Sequence, residues 1–162
     1  MNVNPNDEQL RAFVGMVAGR IGQEAPWNSQ LGAYQLSSQN WATFAVKMHH
    51  YFFITRDDNA SAADFDAYVK ACVSWALGNY RGLPRGLQKT VAIYPVLLQG
   101  PATPEVVAYT KQKPDAHFAA FALPTVVDLA SGRIDFLEKT PIWGFAMWKG
   151  VRAAAENALG RQ

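Results

Sequence analysis

A chain of 162 residues and 17.8 kDa has the length of one ordinary domain. At 49% hydrophobic and 17% charged it is too apolar for a disordered segment, and its one cysteine, Cys72, excludes a disulfide scaffold. A net charge of +2 with a pI near 8.7 supplies no basic stripe, so we expect no nucleic-acid partner.

The first eight residues lack the basic and apolar regions of a signal peptide, and no apolar run has the length of a membrane span. With a single cysteine, the expected compartment is the cytoplasm. Residues 7–21 place Leu10, Phe13, Val14, Val17 and Ile21 at helical spacing, with Asn4 or Asn6 as the cap and Gly22 as the stop. Gln23 to Asn40 is polar and contains Pro26 and Gly32, which predicts a loop around one weak strand near Ala33–Ser37. Residues 41–55 are dense in aromatic and β-branched types. Alternation there puts Met48, His50, Phe52 and Ile54 on one face and Lys47, His49, Tyr51 and Phe53 on the other. Fifteen residues exceed a usual strand, so a bend, bulge or hairpin belongs inside this run.

Ser61 followed by Asp64 resembles a capping box and opens a helix to about Tyr80 that buries Phe65, Val69, Cys72, Val73 and Ala76. Thr90–Leu98 reads as a buried strand in which Pro95 calls for an edge position or a bulge. Thr103-Pro104 starts a short helix to about Gln112. Phe118–Leu129 is a further strand interrupted at Pro124. The turn at 128–133 leads to an antiparallel partner at Ile134–Glu138. From Trp143 or Phe145 a last helix buries Met147, Val151, Ala155, Ala158 and Leu159 and ends at Gly160.

Helical crossovers between strands return parallel, whereas the 128–133 turn returns antiparallel. The expectation is a single α+β domain over residues 1–162. It would have a mixed, twisted sheet of about five strands covered by about four helices.

No catalytic signature stands out, and whether the protein is an enzyme is left open. Asp57, Asp58, Asp64 and Asp66 lie at a helix start, where carboxylates complement the helix dipole. Their spacing is not that of an EF-hand, and no metal or other cofactor is expected. Arg81, Arg85 and Lys89 flank a Gly/Pro loop that suits a phosphate or carboxylate through guanidinium forks. The histidines His49, His50 and His117 are the candidates for acid–base work. Asp135, Glu138 and Lys139 have the residue types of a nuclease strand, but Asp135 and Glu138 fall on opposite faces.

The chain has five tryptophans, and the surroundings of the last helix are rich in rings. Trp143, Phe145 and Trp148, beside Lys149 and Arg152, either thicken a small core or cover its rim, or form a half-exposed self-association surface or a pocket wall. The resulting expectation is a binding or interaction protein that forms a homo-oligomer and has no membrane partner. Its alternative is a small enzyme or ligand-binding domain taking an anionic small molecule through Arg or Lys and a histidine.

Overall fold

The fold is that of a computed structural model, which describes residues 1–41, 47–79, 89–113, 120–141 and 145–160, leaving aside the side chains of residues 40, 41, 89 and 145. Helix α1 (Glu8–Ile21) buries Leu10, Val14 and Val17. Its cap is Asp7, not Asn4 or Asn6: the Asp7 carboxylate accepts from the Leu10 amide at 2.8 Å. Asn4 instead accepts from Asn6 within the preceding turn. Arg56 clamps Asp7 from the sheet at 2.9 Å, which selects this residue over its neighbours. Gly22 closes the helix in the left-handed region, at φ 71°.

The polar stretch after α1 holds two strands. Strand β1 (Trp27–Asn28) is short, and β2 (Ala33–Trp41) is longer than the expected weak strand. β2 pairs antiparallel with β3 (Lys47–Arg56) from Tyr34↔Ile54 to Trp41↔Lys47, so a hairpin divides the long aromatic run. The pairing explains the longer β2. Polar Ser and Gln residues stay in register because β3 supplies their backbone partners and its alternate side chains fill the core.

Helix α2 (Ala62–Asn79) starts at the expected reciprocal cap, with Ser61 N donating to Asp64 at 2.9 Å and Asp64 N to the Ser61 hydroxyl at 3.2 Å. It leads to β4 (Lys89–Gln99), then α3 (Pro104–Thr110), β5 (Ala120–Ala122) and β6 (Thr125–Asp128). β7 (Ile134–Asp135) turns back antiparallel to β6 through Gly132 at φ 73°, and α4 (Phe145–Leu159) ends the described chain.

The sheet order is β1-β2-β3-β4-β6-β7, with β5 on the same side of β4 as β6. Among the described residues it is a mixed sheet of seven strands with four helices, an α+β architecture with more strands than expected. Two parallel crossovers that advance in the same direction place α2 and α3 on the same face. Their side chains pack on Phe53, Val91, Ile93, Leu97 and Val126, while α1 and α4 pack on Phe52, Ile54, Tyr94, Val96 and Leu98.

Pro95 corrects the expectation of an edge or bulge, because β4 is central in the sheet. The Ile93 and Gln99 carbonyls accept from Leu123 and Leu129 on the β5/β6 side, so alternation directs Pro95 to that side too. There β5 has ended at Ala122 and β6 begins at Thr125. The missing amide falls where no ladder bond is called for.

Helix α4 corrects a second expectation. Trp148 is 0% exposed and Met147 is only partly buried. Trp148 meets Phe121 edge to face, with ring centroids 5.3 Å apart. Rotating the helix to seat the larger ring moves Met147 toward its margin.

Candidate functional site

His50 lies on the α1–α4 face of β3 and is 2% exposed. Its Nδ1 is 2.8 Å from the Tyr94 hydroxyl, and the two rings are near-parallel, with centroids 5.8 Å apart. Phe52 stacks on the same tyrosine at 4.2 Å. Register explains this stack: His50 and Phe52 alternate onto one face of β3, and Tyr94 is the β4 residue opposite Phe52.

The tyrosine fixes the tautomer of the histidine. Tyr94 donates its only hydroxyl proton to the Val151 carbonyl of α4 at 3.1 Å. The hydroxyl therefore accepts from His50, so Nδ1 carries the imidazole proton and Nε2 the lone pair. Burial, with the nearby His49 adding to it, lowers the His50 pKa from 6.5 to about 4. At neutral pH this side chain is uncharged and a weak base.

His50 also lines a cavity of about 210 Å³ with Arg20, Ile21, Ser38, Phe52, Ala154, Asn157 and Ala158. Three elements contribute its polar groups: Arg20 from the last turn of α1, Ser38 from β2 opposite His50, and Asn157 from α4. The Arg20 guanidinium also donates to the Ala158 carbonyl at 3.4 Å, near the negative end of α4. Gly160, at φ 88°, leaves room for it, since a Cβ there would collide with the guanidinium. A cation is thereby fixed beside a neutral imidazole, a hydroxyl and an amide.

A second cavity, of about 430 Å³, borders the first and is lined by Gln23, Ser37, Ser38, Gln39, His49, His50 and Tyr51. Its lining includes residues from both faces of β2 and β3, so it wraps the free side of β2. A third, of about 360 Å³, lies between α2 and α3 above Val69, Val73 and Ala122. The Asp66 carboxylate on its rim accepts from Lys70 at 2.7 Å and Tyr109 at 3.0 Å, and these bonds hold it below the usual carboxylate range.

The residues singled out from sequence are distributed unevenly. His49 is half-buried and shares the larger polar cavity with His50. His117, Arg81, Arg85 and Trp143 lie outside the described residues, as do the side chains of Lys89 and Phe145; Lys89 opens β4 opposite Lys47. Trp148, a candidate for the surface, belongs to the core. Lys149 is exposed, and Arg152 donates to the Thr140 hydroxyl at 2.8 Å, tying α4 to the strand-side loop.

The acidic group is held locally. Asp58 pairs with Arg56 at 2.7 Å and accepts from the Gly100 amide, and Asp57 accepts from the Asn2 and Asn59 amides. Asp135 pairs with Lys111 at 3.1 Å and Arg133 at 2.6 Å. Cys72 is buried, and burial pushes its thiol up, away from the reactive thiolate.

Sequence reasoning missed Arg20, Ser38, Asn157 and Tyr94. Only Tyr94 had a visible signal, as the sole residue with a polar group between Val91 and Leu98 of a buried strand. Comparison with protein-family models, curated proteins and solved structures finds no match to this chain. Among the described residues, no helix is long and apolar enough to cross a membrane.

Proposed function

We propose that this protein binds a small anionic molecule in the cavity between α1, α4 and the β2–β3 hairpin. The observation that supports this reading is the meeting of the Arg20 guanidinium with the Ser38 hydroxyl and the Asn157 amide in one cavity, beside a neutral His50 whose Nε2 can only accept a hydrogen bond. The expectation from sequence was an anionic molecule held through an arginine or lysine, with a histidine for acid–base work. The arginine is a different one from those singled out in the sequence.

A volume of about 210 Å³ is that of roughly seven waters at about 30 Å³ each. It admits a carboxylate or phosphate of a few heavy atoms and is too small to enclose a nucleotide. Arg20 offers a guanidinium already oriented by the α4 carboxyl end, which limits the ordering cost of binding. Ser38 and Asn157 add a hydroxyl and an amide on opposite walls. His50, neutral at pH 7, contributes no charge to the wall, so Arg20 is the cation of the lining. A proton-transfer reaction near neutral pH does not suit an imidazole whose pKa lies near 4. Binding, without catalysis by His50, is the function the geometry favours.

The test is an NMR titration with inorganic phosphate and, separately, with glycolate. Saturable shifts are expected at the signals of Arg20, Ser38, His50 and Asn157 in the millimolar range, where one or two charge-assisted hydrogen bonds place a small ion. They should weaken at least tenfold in Arg20→Gln. The reading is refuted if neither probe gives saturable shifts there by about 50 mM, well above the affinity argued from those bonds. It is also refuted if Arg20→Gln leaves the shifts intact.

A further inference from the structure

The free side of β2 carries a different kind of surface. β1 covers β2 only at Ala33 and Tyr34, and the Gln35 amide donates to the Pro26 carbonyl at 2.9 Å on that same side. From Leu36 to Trp41, no other described strand pairs with β2 on this side. Alternation then fixes which backbone groups point outward. Because Gln35 faces β1, so do the amides and carbonyls of Ser37 and Gln39, while Leu36 and Ser38 face β3. The groove of about 430 Å³ runs along these groups, with Gln23 in its lining.

The two edges of the sheet differ. β7, at the far end, is two residues long, and its Asp135 is locked between Lys111 and Arg133. A short, charged strand is a common protection against edge pairing. Among the described residues β2 has none of these protections. Ala33–Trp41 contains no charged residue and no proline, and its register with β3 is unbroken from Tyr34↔Ile54 to Trp41↔Lys47. It is a neutral edge in unbroken register, a template for another strand.

We infer that the Leu36–Trp41 edge of β2 pairs antiparallel with the same edge of a second copy of this chain. A two-fold antiparallel pairing is self-complementary: outward groups of one copy meet outward groups of the other. Parity requires odd-numbered residues to lie opposite one another, and a centre at Ser38 or Gln39 matches the most outward groups within the open stretch. The absence of charge along the edge lets two like copies meet without repulsion, which a partner of opposite charge would not require. Six residues of edge bury much less than the roughly 1,200 Å² of a stable interface. The dimer is therefore weak and depends on concentration. Its outward groups, on Ser37 and Gln39, are not in the lining of the ligand cavity, although that cavity shares Ser38 and His50 with the groove.

Sedimentation velocity across a concentration series on the whole chain tests this. The wild type should shift from monomer toward dimer as concentration rises to about 1 mM, the affinity range of small interfaces. Gln39→Pro deletes an outward amide at an edge, where proline is tolerated, and should remain monomeric with an unchanged far-UV spectrum. Ser37→Lys/Gln39→Lys, which keeps every amide and adds like charge, should weaken the dimer at least tenfold and recover with salt. If Gln39→Pro fails to fold, the lysine variant carries the test. A wild type that is monomeric throughout overturns the inference, as does a dimer that the lysine variant leaves unchanged.

Discussion

The burial of His50 makes a pH-dependent contribution to stability that can be worked through. Its pKa falls from 6.5 in the unfolded chain to about 4 in the fold. Above about pH 6.5 both states are neutral at this site. As pH falls toward 4 the unfolded state takes up a proton that the folded state refuses, so stability falls across that window and levels off below it. At about 1.4 kcal/mol per tenfold change in proton affinity, the full effect is about 3 kcal/mol, and between about pH 7.5 and 4.5 it is about 2.5 kcal/mol. The aspartates with depressed pKa, including Asp7, Asp128 and Asp135, lose their contributions mainly below 3.8, outside this window. His50→Gln keeps a donor for Tyr94 and removes the titration. Urea unfolding followed by tryptophan fluorescence at both pH values should show the wild type losing about 2.5 kcal/mol more than the variant. Equal losses, or a His50 ring signal titrating near 6.5 by NMR, would refute the argument from burial.

Three further outcomes follow from the packing. Trp148→Ala should cost about 3–5 kcal/mol, as for other large core rings, and leave the proposed β2-edge pairing unchanged, because Trp148 lies against Phe121 and not on a surface; denaturant melts and sedimentation check both parts. Gly160→Ala and Gly132→Ala both place a side chain at positive φ, at about 1–2 kcal/mol each, but only at Gly160 does the Cβ meet the Arg20 guanidinium. The Gly160 change should therefore be the more damaging by chemical denaturation, and the excess should shrink in an Arg20→Ala background. Cys72, buried with its thiol pushed up, should resist alkylation near pH 8 in the folded protein and react fully in urea, as mass spectrometry would show.

Much of the fold was legible because the signals were local. The periodicity of Leu10, Val14 and Val17, the Ser61–Asp64 cap, Thr103-Pro104, and Gly132 in its turn each report on a few neighbouring residues and hold in the structure. The same local reasoning failed where a distant group decided. Asp7 caps α1 partly because Arg56 reaches it from β3, and Pro95 occupies a central strand because β5 and β6 break beside it. Met147 and Trp148 compete for one helix face, and the ring from Phe121 decides between them.

By itself the sequence determined an apolar, ring-rich α+β chain with little charge, and sorted that charge onto helix ends and turns. Only the tertiary structure decided which of those rings are core and which polar groups meet. Arg20 and Asn157 are far apart in sequence, and no motif links them to Ser38 or His50. They share a cavity because two terminal helices fold back over the same face of the sheet as His50. Local patterns encode helices and strands through short-range sterics and burial. A site assembled across long loops has no such pattern, because its geometry comes from packing.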